Sequence, residues 1–230
     1  MKICALSDTH GYYDMSFIEE DTELVLIAGD IVDLNIQSSM RLSEEWFKNE
    51  FIEMISSLPK SVKQIIMTGG NHDFYLERHH NGLRELFDSH NIVYLNNKSY
   101  DYISEEGNIL KIFGSPYCKI FGNWAYMISN ESLEKKFSEI PEDIDILLTH
   151  DAPYGTSDIC FQDVYWNNHE HIGNIPLQKA IIEKKPKWNI HGHLHSSNHL
   201  PEKLEKTNVV NVSLLDENYH LRYEPFYFNI

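Results

Sequence analysis

The sequence predicts an α/β fold with a mixed sheet. Short apolar runs rich in Ile, Val and Leu alternate with segments of helical periodicity, and several of those runs end in polar, chemistry-bearing residues. Ile3 to Leu6 leads into Asp8 and His10, and Leu24 to Ala28 leads into Gly29-Asp30. Next, Trp46 or Phe47, Phe51, Met54, Ile55 and Leu58 fall at helical spacing, and Pro59 stops the pattern. Gln64 to Met67 then leads into Gly69-Gly70-Asn71-His72-Asp73, followed by a helix around Leu83 to Phe87. Alternation marks a strand at Ile109 to Phe113, and a short helix is expected around Leu133 to Phe137. Ile144 to Leu148 leads into His150, a helix runs from Pro176 to Lys184, and Trp188 to Ile190 leads into Gly192-His193-Leu194-His195. Val209 to Leu214 and the aromatic-rich end, Tyr219 to Phe228, complete the strands. No repeat, low-complexity tract or linker interrupts the chain, so residues 1–230 read as one domain.

Bulk composition narrows the function. With 230 residues and 42% hydrophobic content the chain can bury a substantial core. A formal charge of -16 argues against a non-specific grip on long nucleic acid, which needs clustered Lys and Arg, and favours a small substrate. The N-terminus turns polar at Ser7-Asp8, short of a signal-peptide core, and no run reaches the ~20 apolar residues of a membrane span. Cys4, Cys118 and Cys160 lack a metal-type spacing and fit a reducing compartment. The expectation is a soluble, cytoplasmic protein.

The polar strand ends call for a partner, because buried carboxylates and imidazoles are costly unless something satisfies them. A pair of divalent cations would. Asp-x-His at Asp8 and His10 puts two ligands on one side of an extended segment, and His193 and His195 repeat the arrangement. One carboxylate must bridge metals about 3.5 to 4 Å apart, and Asp30, after a glycine that allows a tight turn, is the candidate.

In order along the chain, Asp8-Thr9-His10, Gly29-Asp30-Ile31-Val32-Asp33, Gly70-Asn71-His72-Asp73, His150 and Gly192-His193-Leu194-His195 resemble the calcineurin-like metallophosphoesterase superfamily. The resemblance implies a four-layer α/β/β/α sandwich of two mixed sheets flanked by helices. It also implies one metal held by Asp8, His10, Asp30 and His195 and a second by Asp30, Asn71, His150 and His193. His72 is then a catalytic group reaching toward the leaving oxygen, and Asp33 holds it in place. A carboxylate partner would fix the imidazole tautomer and raise its pKa. Substrate contacts are expected from Asn71, His72 and Asn123. Mixed His, Asp and Asn ligands suit Mn, Fe, Zn or Ni.

A narrower likeness runs nearly end to end. Gly114-Ser115-Pro116-Tyr117, Phe121-Gly122-Asn123-Trp124-Ala125, Thr149 to Gly155 and the stretch from Asn211 to Pro225 look like the metallophosphoesterase-domain branch. One departure matters: protein phosphatases of the superfamily carry Arg right after the Asp33 position, where this chain has Leu34. Without that guanidinium to clamp a dianionic monoester, small phosphodiesters such as cyclic nucleotides are the expected substrates. A hydroxide bridging the two metals would attack phosphorus in line. The alternatives are a nuclease, a nucleotide phosphomonoesterase, or a non-enzymatic scaffold that keeps the fold.

Other residues invite plainer readings. Asp73 reads as a support for the ligands or a loop cap, and Asp151 either orients His150 or faces solvent. His191 is not expected to ligate, since the resemblance uses the two later histidines. His79 and His80 read as exposed loop. His169 and His171 lie where a loop could close over the metals. Tyr117, Phe121, Trp124 and Tyr126 read as packing before recognition, and Cys118 and Cys160 as inert.

Overall fold

The structure is a computed structural model that describes residues 1–12, 14–160 and 170–230. One sheet is built from β1 (Lys2–Leu6), β2 (Leu24–Ala28), β3 (Gln64–Thr68), β4 (Ile92–Tyr94) and β13 (Phe226–Asn229), in the order β13-β1-β2-β3-β4. β1 to β4 are parallel, and β13 closes the edge antiparallel to β1. The second sheet contains β5 (Lys98–Ile103), β6 (Ile109–Ser115), β9 (Ile146–Thr149), β10 (Trp188–His191), β11 (Glu202–Leu204) and β12 (Thr207–Asn211), ordered β11-β12-β10-β9-β6-β5. Here β6, β9, β10 and β12 are parallel neighbours, with β5 and β11 antiparallel at the edges. A short pair, β7 (Cys118–Lys119) and β8 (Met127–Ile128), brackets an intervening loop.

The two-residue period of a strand explains why the central runs are apolar throughout: both faces of each sheet are covered. Ile3, Ala5, Leu24, Leu26 and Ile66 of the first sheet meet Ile112, Ile146, Leu148, Ile190 and Val210 of the second in one shared core. The alternate residues, Cys4, Leu6, Val25, Ile27 and Met67, face outward onto α1 (Met40–Lys48), α2 (Glu50–Ser56), α3 (Phe74–His79) and α4 (Arg84–Ser89), through Phe47, Phe51, Leu76 and Phe87. On the far side, Phe113 and Leu147 pack under α5 (Asn130–Ser138) and α6 (Ile175–Lys184) through Leu133, Phe137, Leu177 and Ile181. The result is the expected four-layer α/β/β/α sandwich.

Several local expectations need correction. The helical stretch through Trp46 and Leu58 is two helices, because Asn49 leaves helical geometry at φ −115°, ψ −77° and its side-chain amide donates to Glu45 O at 2.8 Å. The strand expected to reach Leu214 ends at Asn211, and only Phe226–Asn229 of the aromatic end is strand. His79 and His80 sit at the end of α3 and in the 3₁₀ turn that follows, where the His80 ring bonds Leu76 O, so they are not loop. Helix ends follow capping chemistry: Ser39, Ser129 and Asn174 each accept a backbone N–H of the first turn. No helix among the described residues is long and apolar enough to cross a membrane.

Candidate metal centre

Every chemistry-bearing segment leaves the C-terminal end of a parallel strand, where open α/β sheets gather their ligands. β1 delivers Asp8 and His10, β2 Asp30, β3 Asn71, β9 His150, and β10 His193 and His195. Turning these side chains inward requires unusual backbone. Asp8, His10, Asp30 and His193 all adopt left-handed conformations, with φ of 53°, 42°, 53° and 72°. Each such non-glycine residue costs about 1–3 kcal/mol, a cost tolerated at functional sites.

The side chains converge into two groups. Asp8, His10 and His195 offer ligand atoms within 4.8 Å of one another, and so do Asp30, His150 and His193. Asp30 stands between them: its Oδ2 lies 3.8 Å from His10 Nε2 and 3.3 Å from His150 Nε2. Asn71 joins the second group through its Oδ1, 3.0 Å from His150 Nε2. The structure thus brings together all seven side chains singled out from the sequence.

Outer contacts aim the ligand atoms. The Nδ1 of His150 meets Ala28 O at 2.8 Å and that of His195 meets Asp216 O at 3.0 Å, so each ring presents Nε2 to its group. Asp8 Oδ2 accepts from His193 N at 2.9 Å and from Ser213 Oγ at 2.8 Å, leaving Oδ1 to point inward. Asp73, fully buried, accepts from Ile31 N and Val32 N at 3.1 Å and from Gly70 N at 2.9 Å. It therefore ties the loop carrying Asp30 to the loop carrying Asn71. Gly70 is required by space: a Cβ there would stand 2.3 Å from Asp30 Oδ1 and 2.7 Å from His150 Cε1.

The centre fits a cation because it leaves inward atoms unmatched. Asp8 Oδ1 and both ring nitrogens of His10 are buried without a hydrogen-bond partner among the described residues, a costly condition unless a ligand completes it. Burial holds His10 and His193 down at about 4, so both rings are neutral and ready to donate electron pairs. Burial also works against charge on His150 and His195, but the carboxylates outweigh it: Asp30 and Asp8 raise His150 to about 10, and Asp8 raises His195 to about 9. Such positions suit a site built to exchange protons for metal.

His72 stands beside the two groups, its Nε2 3.9 Å from Asp30 Oδ2 and its backbone N–H donating to Asp30 Oδ1 at 2.7 Å. The expected pairing with Asp33 is corrected here. His72 Nδ1 meets Gln37 Oε1 at 2.5 Å, while Asp33 Oδ1 accepts from the backbone and side-chain nitrogens of Asn35 at 2.7 and 3.0 Å. Asp33 is committed to its own turn, and a residue four positions on takes the imidazole. Trp124 lies over the same ring, with centroids 4.6 Å apart.

The aromatic cluster divides. Tyr126 is buried and its hydroxyl meets that of Tyr94, which is packing. Phe121 and Trp124 are half exposed and lean on His193 and His72, and exposed Asn123 lies between them in the loop. Asp151 neither orients His150 nor faces solvent; it is buried and accepts from Lys119 N, Asn174 Nδ2 and Ala152 N. His191 is buried outside both groups, bonded to Gly192 O. His171 bonds Asp158 at 2.5 Å, and His169 lies outside the described residues. Three contributors were given no role at the site from the sequence: Gln37, and, within the Asn211 to Pro225 stretch of the resemblance, Ser213 and Tyr219, whose ring stands edge-on to His10 and His195 at 5.0 and 5.4 Å.

Comparison with known proteins bears on this centre. The model of the calcineurin-like phosphoesterase family matches residues 1–197. "Probable rhamnogalacturonate lyase C" of Emericella nidulans is 28% identical over 201 residues, 85% of this chain but 17% of that protein. UPF0046 protein T07D4.2 of Caenorhabditis elegans is 25% identical over all of this chain and 60% of its own length. Human metallophosphoesterase domain-containing protein 1 is 25% identical over 95% of this chain and 67% of its own. This chain therefore spans less than two thirds of the first two relatives. Among solved structures, TT1561 of Thermus thermophilus superposes with a TM-score of 0.60, at 14% identity, over 91% of this chain and 88% of that one, a likeness of fold alone.

Proposed function

Since this chain belongs to the calcineurin-like phosphoesterase family, we propose that it is a metal-dependent phosphoester hydrolase that favours small phosphodiesters, cyclic nucleotides among them. The observation that carries this reading is Asp30 Oδ2, poised between two ligand groups, in the first of which Asp8 Oδ1 and the His10 ring nitrogens lack partners among the described residues. Asp8, His10, Asp30 and His195 would hold one divalent cation, and Asp30, Asn71, His150 and His193 the other. Mn, Fe, Zn or Ni each suit the donor set. Two cations held there would supply Lewis acidity that activates water near neutral pH and offsets charge on the phosphoryl oxygens.

The chain's own residues do the rest. Asp73 and Ser213 keep the carboxylates aimed, and the carbonyls of Ala28 and Asp216 hold the His150 and His195 tautomers. His72, with its Nδ1–H donated to Gln37 Oε1 and its face under Trp124, would act as the imidazolium, passing its Nε2 proton to the leaving oxygen and becoming the neutral ring. Leu34 occupies the place after Asp33 where a guanidinium would clamp a dianion, which supports diesters over monoesters.

The reading is tested by reloading metal-stripped protein with Mn²⁺ and comparing bis(p-nitrophenyl) phosphate with p-nitrophenyl phosphate. The diester is expected to turn over about tenfold faster or more, the scale of one lost charge-assisted clamp. Silence on both esters with two metals bound would overturn it.

Two further outcomes follow. His72→Ala is expected to retain both metals and to cut alkyl phosphodiester hydrolysis by about 10²–10⁴, while activated aryl esters lose far less, because a good leaving group needs no acid. Gln37→Ala should move the same ratio in the same direction by a smaller amount; equal losses on both substrate types would remove His72 from the acid role. Metal uptake should also depend on pH. His150 and His195, raised to about 10 and 9, carry protons at neutral pH and must lose them to ligate. Affinity for Mn²⁺ should thus climb as pH rises from 6 towards 9, by up to about tenfold per unit for each proton displaced, with protons released into weakly buffered solution. Uptake that is flat over that range would refute the exchange.

A further inference from the structure

A cleft of about 460 Å³ opens beside the metal centre, on the side of His10. Tyr12, Tyr219, Leu34 and Leu215 line it, and Asp14 and Asp33 add two carboxylates. No Lys or Arg is among the described residues that line it. His10 is also among its lining residues; its side chain is 1% exposed and its ring nitrogens have no hydrogen-bond partner among the described residues. His10 thus belongs both to the cleft lining and to the first ligand group, and the Tyr219 ring stands edge-on to its imidazole at 5.0 Å.

A phosphoryl group held at the centre has to send a substituent somewhere, and this cleft is a concave route away from it. Its chemistry is selective. Hydrogen bonds from Ser16 hold the Asp14 carboxyl below its ordinary range, so it is ionised near neutral pH. Two carboxylates without a compensating cation repel a second anionic group. Tyrosine faces combined with carboxylates attract an ammonium, which gains both ring and charge attraction within about 6 Å of a centroid.

We propose that this cleft is the subsite for the alcohol portion of the substrate, and that it selects phosphodiesters of a cationic amino alcohol over those of a neutral or anionic one. The proposal rests on the phosphodiesterase reading above and narrows its substrate class. The acidic character of the whole chain, -16 in formal charge, acts in the same direction, since a zwitterionic ester approaches it without the repulsion that an anionic ester meets.

The test compares p-nitrophenyl phosphorylcholine with p-nitrophenyl 3,3-dimethylbutyl phosphate, which share a leaving group and a shape and differ in one positive charge. With Mn²⁺-loaded protein at low salt, kcat/KM is expected to favour the choline ester at least tenfold, and added NaCl should shrink the ratio. In the double variant Asp14→Asn/Tyr12→Leu the ratio is expected to fall to about threefold or less, with the metal content by elemental analysis the same as in the parent. Equal turnover of the two esters while bis(p-nitrophenyl) phosphate is still hydrolysed would overturn the subsite and leave the phosphodiesterase reading intact. Calorimetric titration reads the subsite without turnover. Phosphorylcholine should bind more tightly than 3,3-dimethylbutyl phosphate, and the double variant should abolish the difference. A neutral isostere that binds as well as the cation sinks the proposal whether or not the protein hydrolyses either ester.

Discussion

Asp30→Asn is expected to reduce the metal content from two ions per chain to one or none and to lower kcat/KM on bis(p-nitrophenyl) phosphate by at least about a thousandfold, because the carboxylate proposed to serve both metals is lost. The side chain is buried, and burial works against its charge, but the imidazoles of His150 and His72 outweigh that cost and hold the carboxyl below the usual carboxylate range. An asparagine is nearly the same size and keeps an oxygen that can accept from His72 N, so the fold should survive with its melting temperature little changed. What it lacks is the second anionic oxygen, the one 3.8 Å from His10 and 3.3 Å from His150. Elemental analysis of the purified variant, run beside turnover, separates the possibilities. Two retained metals with activity within about tenfold of the parent would show that Asp30 does not bridge.

Asp73→Ala is expected to destabilise the chain more than any ligand substitution. Its carboxylate is the acceptor for Ile31 N, Val32 N and Gly70 N, all inside the protein. Truncation leaves three buried donors unmatched, at about 1–3 kcal/mol each, so a loss of roughly 3 kcal/mol or more is expected. For a chain of this size that lowers the melting temperature by roughly 6–12 °C. The loops it joins carry Asp30 and Asn71, so Mn²⁺ should no longer protect the variant against heat as it protects the parent. Asp73→Asn keeps one oxygen for Ile31 and Val32 but turns an amide N–H₂ towards Gly70 N, and an intermediate loss should result. Thermal melts with and without Mn²⁺ decide this; a shift of less than about 2 °C for the alanine variant would mean that water or relaxation replaces all three bonds.

Much of the fold was legible because the central strands are buried on both faces. A run such as Leu24 to Ala28 has no polar alternation to confuse with helix, and it ends abruptly at Gly29-Asp30. Runs with one wet face or an irregular end were harder. The stretch after Asn211 alternates like a strand but leaves the sheet to cover the centre, carrying Ser213 and Tyr219 with it. Asn49 fits helical periodicity around it, and only its own backbone angles and the bond to Glu45 O reveal the break. α3 was missed because it is six residues long, too short for its apolar spacing to register.

By itself the sequence determined which residues stand at strand ends and in what order, and hence the family, since each motif is local: a strand, a turn, then a polar side chain. Only the tertiary structure decided which partners those side chains keep. Asp8 meets Ser213 across 205 positions of chain, and Asp73 reaches back 42 to Ile31. His72 takes Gln37 instead of Asp33, because Asp33 satisfies itself locally on Asn35 before any imidazole can claim it. Periodicity records the burial of a residue and nothing about what lies across the interface. Hydrogen-bond partners over such separations are set by how the two sheets and their loops pack, so they become visible only once the chain is folded.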